Sequence, residues 1–323
     1  MKKHRNFLFL FFSIISISGC VQDKAPIRIG TNAWPPCEIW YVAEQQGMFE
    51  SVPVEIKRFS SWTDNMSSLY KGNIDITHAT YFNAVYFHDK GEAGTIILST
   101  DVIQGSDGLV VRSGFIEDSG FNSDRFRGKL VAVEINTDEH FLLKKALDEY
   151  GLSEEDVELR SMTSYEASEA FINGEVDAAF VYEPFLTQAA EEGSGNIIWT
   201  TKELPGYMID VLIVRNKVLE TRRKDVAQLI SAWYDAQDYI RTERGEVFAV
   251  MAANEDMPAD VFEAFYDGFT FFSPEENVEI FNSKAFRARL EEMNDFLLEH
   301  NAITQKAEVS SLYSADIVEE LAE

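Results

Sequence analysis

Carboxylate and aromatic side chains are concentrated in six segments that follow predicted strands. The segments are 30–41, 77–82, 101–110, 134–140, 181–185 and 206–211, and they contain no lysine or arginine, although 28 of the 323 residues are basic. Their acidic residues are Glu38, Asp101, Asp107, Glu134, Asp138, Glu139, Glu183 and Asp210. Their aromatic residues are Trp34, Trp40, Tyr41, Tyr81, Phe82, Tyr182, Phe185 and Tyr207. Carboxylates among aromatic rings favour a cationic or neutral nitrogenous ligand, through charge pairing and cation–π contact.

Twelve residues of these segments are predicted to contact a ligand: Asn32, Trp34, Trp40, Thr80, Tyr81, Asp107, Glu134, Thr137, His140, Tyr182, Glu183 and Asp210. Structural roles remain open for several of them. Glu183 precedes a proline and can equally fix a turn, and a buried Asp107 or Asp210 can satisfy a hydrogen bond of the fold. Trp34 can pack at a hinge, and Tyr81 and Tyr182 can belong to a core. No metal site is predicted, because His78 and His140 have no metal-ligand spacing. No catalytic residue or cofactor is predicted either, because the sequence has no cysteine cluster, no Gly-x-Ser-x-Gly motif and no glycine-rich phosphate loop.

A sulfonate-like or nitrate-like anion is the alternative ligand. Such an anion needs arginine, lysine or the free N-terminus of a helix. The helix predicted after Glu134 offers a terminus, but Asp138 and Glu139 stand in its first turn. These carboxylates complement the helix dipole and repel an anion, so the sequence favours the nitrogenous ligand.

The elements that position these residues alternate between strand and helix. Strands are predicted at 27–30, 52–56, 74–77, 95–98, 108–111, 130–134, 157–161, 178–181, 197–200 and 210–214. Helices are predicted between most of them, and the chain from Glu220 onward is predicted to be helical, including 224–243, 245–254, 259–265 and 284–300. This alternation is typical of an α/β fold, and in such sheets ligands bind beyond the carboxyl ends of the strands.

The N-terminus has the three parts of a secretory signal. A basic start at Lys2, Lys3 and Arg5 is followed by an apolar run over 7–17 and then by Ser18-Gly19-Cys20. The apolar run is too short to span a bilayer, and its Ile-Ser-Gly-Cys ending resembles the bacterial lipobox. We therefore predict lipidation of Cys20 and export. Cys37 then has no disulfide partner and is predicted to be a free thiol.

The composition is that of a globular protein with a strongly acidic surface. The formal charge is −27, from 28 basic and 55 acidic residues. Such a charge repels nucleic acid and anionic lipid headgroups. Solubility or adaptation to a salty habitat would explain the same balance.

Six motifs in chain order resemble a known family. They are Val42–Phe49 after Trp34-Pro35, Leu69–Asp75, Gly105–Val111, Phe126–Glu134, Gly174–Ala179 with Tyr182-Glu183-Pro184, and Pro205–Arg215. Together they resemble the solute-binding proteins of ABC importers, in the group that binds nitrate, aliphatic sulfonates, taurine and thiamine pyrimidines. Tyr182 stands where this family commonly has tryptophan.

The resemblance implies a type II periplasmic-binding fold, with two α/β lobes joined by two crossover strands and closing by hinge motion. It places the signal at 1–19, a tether at 20–26, the first lobe at 27–108 and 212–323, and the second lobe at 109–211. The implied partners are a small-molecule ligand, an ABC permease with its ATPase, and the membrane that holds the lipid anchor, with the protein as a monomer at the outer face of the cytoplasmic membrane. It implies no enzymatic activity. A sensor that signals to a membrane kinase is the alternative role.

Overall fold

The computed structural model describes residues 24–60, 62–89, 94–255 and 257–323. The predicted signal sequence and Cys20 lie outside the described residues. Among the described residues, no helix combines the length and the apolar character that a bilayer-crossing segment needs.

Thirteen strands form the described sheets. They are β1 (Ile27–Thr31), β2 (Val54–Arg58), β3 (Ile76–Thr80), β4 (Gly94–Ile103), β5 (Asp107–Arg112), β6 (Ile116–Glu117), β7 (Gly120–Phe121), β8 (Leu130–Val133), β9 (Glu158–Ser161), β10 (Ala178–Tyr182), β11 (Gly195–Thr200), β12 (Asp210–Arg215) and β13 (Phe269–Phe271). The long strands are rich in valine and isoleucine, whose branched side chains favour the extended backbone.

The first sheet draws its strands from both ends of the chain. Its order is β13-β4-β12-β3-β1-β2. Strands β2 and β3 pair in parallel with β1, whereas β12 is antiparallel to both β3 and β4. The edge strand β13 pairs antiparallel with β4, which corrects the prediction that the chain is wholly helical after Glu220. This strand is only three residues long, too short to give a strand pattern.

The second sheet is built from one continuous part of the chain. Its order is β11-β5-β10-β8-β9, with β5 antiparallel to β10 and to β11. The chain passes from the first sheet to the second between β4 and β5, and returns between β11 and β12. Gly105 and Gly206 lie in these two connections with φ of 88° and 74°. A side chain there would be strained, because L-residues rarely adopt this left-handed region.

Thirteen α-helices accompany the described strands. They are α1 (Glu38–Gln45), α2 (Trp62–Tyr70), α3 (Tyr81–His88), α4 (Ser123–Phe126), α5 (Asp138–Glu149), α6 (Ser164–Ile172), α7 (Phe185–Glu192), α8 (Asn216–Thr242), α9 (Arg244–Asn254), α10 (Ala259–Tyr266), α11 (Pro274–Asn282), α12 (Lys284–Glu299) and α13 (Asp316–Ala322). Capping boxes begin several of them. Thr163 and Glu166 begin α6, and Ser273 and Glu276 begin α11. Each box satisfies amide groups that the first turn leaves free.

A charged triad lies under the first sheet. Arg58 contacts Glu38 at 2.7 Å and Glu255 at 2.9 Å, and both carboxylate side chains are almost fully buried. Burial, and then the neighbouring Glu38, raises the pKa of Glu255 to about 8. The Arg58 guanidinium group is therefore shared between the carboxyl groups of Glu38 and Glu255.

Candidate functional site

Five carboxyl groups converge between the two sheets. Asp101 and Asp210 belong to β4 and β12 of the first sheet, Asp107 begins β5 of the second sheet, and Asp138 and Glu139 form the first turn of α5. We call these five residues the acid cluster. None of them forms an ion pair with a basic side chain among the described residues.

Asp101 and Asp210 are direct cross-strand neighbours in the antiparallel pair of β12 with β4. Burial raises the pKa of Asp101 to about 7. Burial and then the charge of Asp101 raise the pKa of Asp210 well above its ordinary value. Like charges directly opposite each other destabilise a sheet, so the pair favours a state in which one proton is shared.

Asp107, Asp138 and Glu139 extend the acid cluster from the second sheet. Asp107 accepts a hydrogen bond from the Ser106 hydroxyl at 2.6 Å. Burial raises the pKa of Asp107 and of Asp138 to about 7 in each case, and nearby carboxyl groups add to the effect. The pKa of Glu139 is raised well above its ordinary value by burial and then by Asp138. Because each group raises the pKa of another, a cation placed among them would relieve several at once.

An aromatic wall lies beside Asp210. The Trp34 indole N–H donates a hydrogen bond of 2.9 Å to Asp210 Oδ2. Its ring meets Phe265 and Phe269 edge to face, with centroid distances of 5.7 and 5.2 Å. The side chain of Trp34 is only 8% exposed. This wall offers ring surface next to a buried carboxyl, which is the combination that binds organic cations.

Tyr182 closes the site on the side of the second sheet. It is paired with Asp107 across β10 and β5, and its ring packs edge to face on Phe185. Burial raises its pKa, with contributions from Glu139, Glu134 and other carboxylates. Its hydroxyl therefore remains a neutral hydrogen-bonding group beside the acid cluster.

Comparison with known proteins places this architecture in a family. The family model described as NMT1-like matches residues 21–253. The chain belongs to the NMT1-like family. A relative from Brucella abortus (strain 2308), provisionally named a binding protein, is 22% identical over 249 residues, which are 73% of this chain and 74% of the relative.

Solved structures share the fold of this NMT1-like chain. The alkanesulfonate-binding protein of Xanthomonas axonopodis pv. citri has a TM-score of 0.72 at 16% identity, with 90% of this chain and 99% of that chain covered. The periplasmic nitrate-binding protein of Synechocystis PCC 6803 has a TM-score of 0.67 at 15% identity, covering 92% and 88%. These likenesses confirm the predicted periplasmic-binding fold.

The NMT1-like chain brings part of the predicted set to the acid cluster. Trp34, Asp107, Tyr182 and Asp210 lie there as described above. Thr137 is the residue before α5, and its hydroxyl donates to the carbonyl of Glu134 at 2.6 Å. The Glu134 carboxylate accepts a hydrogen bond from Thr63 at 3.1 Å. A ligand-binding role for these six residues stays a prediction.

Trp40 and Tyr81 are instead core residues, which corrects their prediction as ligand contacts. Trp40 is fully buried in α1, where its indole donates to His78 Nε2 at 3.0 Å and packs against Trp233. Tyr81 is buried against Phe286. Both rings follow strand ends in the sequence, but the helices that begin there turn these faces inward.

The polar groups of Asn32, Thr80 and Glu183 are used by the fold. The Asn32 amide group donates to the Phe59 carbonyl and accepts from Asn65. Thr80 begins α3 through a capping box. Both carboxylate oxygens of Glu183 accept hydrogen bonds from Thr187, at 2.8 and 3.1 Å. These two bonds fit the structural alternative for Glu183, and its ligand-binding role stays a prediction.

His140 points away from the acid cluster. Its ring lies beside Phe296 and His300, and its Nε2 is 2.5 Å from Glu154 Oε1. The prediction that it contacts the ligand is therefore not supported by its position.

Several residues of the site were not among the predicted contacts. Asp101, Asp138 and Glu139 were noted only as acidic members of their segments. Phe265 and Phe269 come from the C-terminal half, in and after α10. The pairing of β13 with β4 brings this region to Asp101, since Phe271 is opposite Asp101. No local sequence signal connects these aromatic residues with Trp34, more than 200 positions earlier.

Proposed function

We propose that this chain is the extracytoplasmic solute-binding receptor of an ABC importer and performs no chemistry of its own. Family membership and the shared periplasmic-binding fold support the receptor role. The ligand would be gripped between two lobes, one around each sheet, which would move about the connections that contain Gly105 and Gly206. Because Asp107 begins β5 of the second sheet and Asp210 begins β12 of the first, the predicted lobe boundaries at 108/109 and 211/212 would each lie a few residues nearer the N-terminus. The partners would be a permease with its ATPase, and the receptor would act as a monomer.

The proposed ligand is a small organic molecule with a cationic or hydrogen-bond-donating nitrogen. The observation that carries this proposal is the acid cluster, five carboxyl groups contributed by both sheets. The aromatic wall and Tyr182 supply ring faces beside it. Quaternary amines, guanidines, amidines and aminopyrimidines have the required chemistry.

A sulfonate-type or nitrate-type anion is the second candidate. The support for this candidate is that the two structural relatives reported above are described as an alkanesulfonate-binding protein and a nitrate-binding protein. Anion binding is chemically compatible with the acid cluster only if protonated carboxyl groups donate hydrogen bonds to the ligand. The pKa of about 7 at Asp101, Asp107 and Asp138 keeps part of that set protonated near neutral pH.

The sign of the pH dependence of binding separates the two ligands. A cation favours ionised carboxyl groups, so its affinity should rise as the pH increases from 5 to 8.5. An anion that accepts hydrogen bonds from the protonated carboxyl groups should lose affinity over the same range. A thermal-shift screen of amines, guanidines, pyrimidines, taurine, alkanesulfonates and nitrate selects the ligand, and titration calorimetry at several pH values gives the sign. Stabilisation by sulfonates or nitrate alone would refute the nitrogenous ligand.

A matched pair of variants tests the location of the site. Asp210→Asn should weaken binding of the selected ligand by about tenfold or more, since a hydrogen bond to a charged group contributes about 1.5–3 kcal/mol. Asp124→Asn should leave binding nearly unchanged, because its side chain is 93% exposed and Asp124 lies outside the acid cluster. Unchanged affinity in Asp210→Asn would exclude the acid cluster as the site.

Membrane tethering through Cys20 is proposed with this function. An anchored receptor stays at high effective concentration beside its permease. Cys20→Ser should move the protein from the membrane fraction to the soluble fraction of cells, whereas the cysteine-preserving variant Ser18→Ala should leave it in the membrane fraction. Retention of Cys20→Ser in the membrane would contradict the lipid anchor.

A further inference from the structure

Two histidines and a glutamate meet at a second place, away from the acid cluster. His140 is the third residue of α5, Glu154 begins the short turn before β9, and His300 directly follows α12. Glu154 lies between the two rings: its Oε1 is 2.5 Å from His140 Nε2 and its Oε2 is 2.7 Å from His300 Nε2. One ligand atom from each of the three lies within 4.8 Å of the others.

The orientation of the His300 ring favours a cation at this place. Its Nδ1 is 2.9 Å from the carbonyl oxygen of Phe296. A carbonyl oxygen only accepts, so Nδ1 carries the proton of this contact. In the neutral ring, Nε2 then directs a lone pair at a carboxylate oxygen of Glu154, which is repulsive unless a proton or a metal ion lies between them. Histidine ligands of metals commonly hold their second nitrogen by such a carbonyl contact.

The contact between His140 and Glu154 contains two unsatisfied polar atoms. His140 Nε2 and Glu154 Oε1 are buried and have no hydrogen-bond partner among the described residues, although they are close together. The His140 side chain is only 3% exposed. Buried polar atoms without partners are rare in folded proteins, and an ion shared by the two would satisfy both.

We propose that His140, Glu154 and His300 bind a divalent transition-metal ion, with Zn²⁺ as the best match. Two imidazole nitrogens and one carboxylate oxygen are a common three-ligand set for zinc, with water as the fourth ligand. His140 must carry its proton on Nδ1 when Nε2 binds the metal. The 3.3 Å hydrogen bond that Nδ1 accepts from the Asn136 amide would then be exchanged for another contact.

The metal would connect the two sheets. Helix α5 packs on strands β5, β8 and β10 of the second sheet, whereas α12 packs on α3 beside the first. The ion pair of Lys145 with Glu292 joins the same two helices. A bound ion would therefore restrain the movement of one sheet relative to the other, independently of any organic ligand.

The test uses the purified protein after removal of metals with a chelator. Titration with Zn²⁺ should give one site per chain and a higher thermal midpoint, and Co²⁺ should give the visible absorption of a low-symmetry, histidine-ligated ion. His300→Ala and Glu154→Gln should each weaken Zn²⁺ binding by about tenfold or more. His88→Ala is the matched control, because His88 contacts Ser311 outside the cluster, and it should bind like the wild type.

Two results would overturn the proposal. One is the absence of a Zn²⁺-dependent thermal shift in the wild-type protein at ~100 µM metal, a concentration that would saturate a micromolar site. The other is equal Zn²⁺ affinity in the wild type, His300→Ala and Glu154→Gln. His140 is too buried to be the deciding variant, whereas His300 and Glu154 are partly exposed, and circular dichroism of both variants verifies that they fold.

Discussion

Asp101 and Asp210 face each other across β4 and β12 as cross-strand partners, with Asp101 fully buried and Asp210 partly buried. Such a pair lowers stability when both groups are ionised. Carboxyl groups with strongly raised pKa values are concentrated at functional sites, and this pair lies beside an irregularity in the pairing of β12 with β4, which is consistent with a role in binding. The pair is also accessible to experiment, because its protonation should be visible in the pH dependence of stability.

Asp101→Asn should stabilise the protein in alkaline buffer. The pKa of Asp101 is about 7 in the folded chain and about 4 in an unfolded chain. The folded state therefore holds a proton that the unfolded state has released, and stability falls as the pH rises from 4 to above 7. We expect the variant to raise the free energy of unfolding by about 2–4 kcal/mol at pH 8 and to have little effect at pH 4.

Urea denaturation at both pH values measures this difference. Asp124→Asn is the control, since the side chain of Asp124 is 93% exposed. A stabilisation of Asp101→Asn that is equal at pH 4 and pH 8 would contradict the assigned protonation.

Trp34→Phe should destabilise the ionised form of Asp210 relative to the protonated form. In the wild type, the indole hydrogen bond of 2.9 Å lowers the pKa of Asp210, although the larger effect of burial raises it. The variant lacks this hydrogen bond. We expect a loss of about 1–3 kcal/mol in the free energy of unfolding, and this loss should be larger at the higher pH because only the ionised fraction of Asp210 depends on the charge-assisted hydrogen bond. Trp199→Phe removes an indole hydrogen bond to Glu149, outside the acid cluster, and is the control in the same denaturation series. A loss at pH 5 as large as that at pH 8 would argue that only packing was changed.

Arg58→Met should destabilise the chain strongly. It leaves Glu38 and Glu255 buried without their cation, and breaking a buried ion pair in this way costs about 3–5 kcal/mol. The combined variant Arg58→Met, Glu38→Gln, Glu255→Gln should recover most of this loss, because no buried charge remains. Thermal unfolding of the two variants tests the prediction, and equal midpoints would show that charge is not the cause.

Cys37 should be unreactive in the folded protein. The thiol is free and fully buried, and burial raises its pKa well above the ordinary value, so little thiolate forms. In a Cys20→Ser background, a thiol-reactive dye at pH 8 should label native protein slowly and label one thiol per chain after denaturation. Rapid labelling of the native protein would show that the region around Trp34 opens readily.

Local sequence patterns are sufficient to predict the order of the main strands and helices. The alternation of apolar runs predicts β1, β5, β10 and β12 within one or two residues of their bounds, and the apolar spacing of 284–300 predicts α12. The prediction fails where tertiary contacts decide. Trp40 and Trp34 both follow β1, yet one ring packs in the core and the other reaches Asp210. Their orientation depends on Trp233 and Phe269, which lie far along the chain.

The sequence also does not distinguish the acid cluster from acidic residues that have structural roles. The rule that ligands bind beyond strand ends selects the three segments that contain its five residues, but it does not rank Asp101 above Glu38. Glu38 is neutralised by Arg58 from β2, whereas Asp101 is paired with another carboxyl group. That difference depends on which strands become neighbours, and strand order is set by packing across the whole chain.

The order of strands also determines when each sheet can form during synthesis. All strands of the second sheet lie between Asp107 and Thr200, so that sheet is complete as soon as this stretch has been made. The first sheet needs β12 in its centre and β13 at its edge, more than 100 positions after β4. Strands β1, β2 and β3 can pair with one another early, but β3 and β4 have unpaired edges until β12 is available to lie between them. A nascent chain in this condition is prone to aggregation and would depend on a chaperone until its last third emerges.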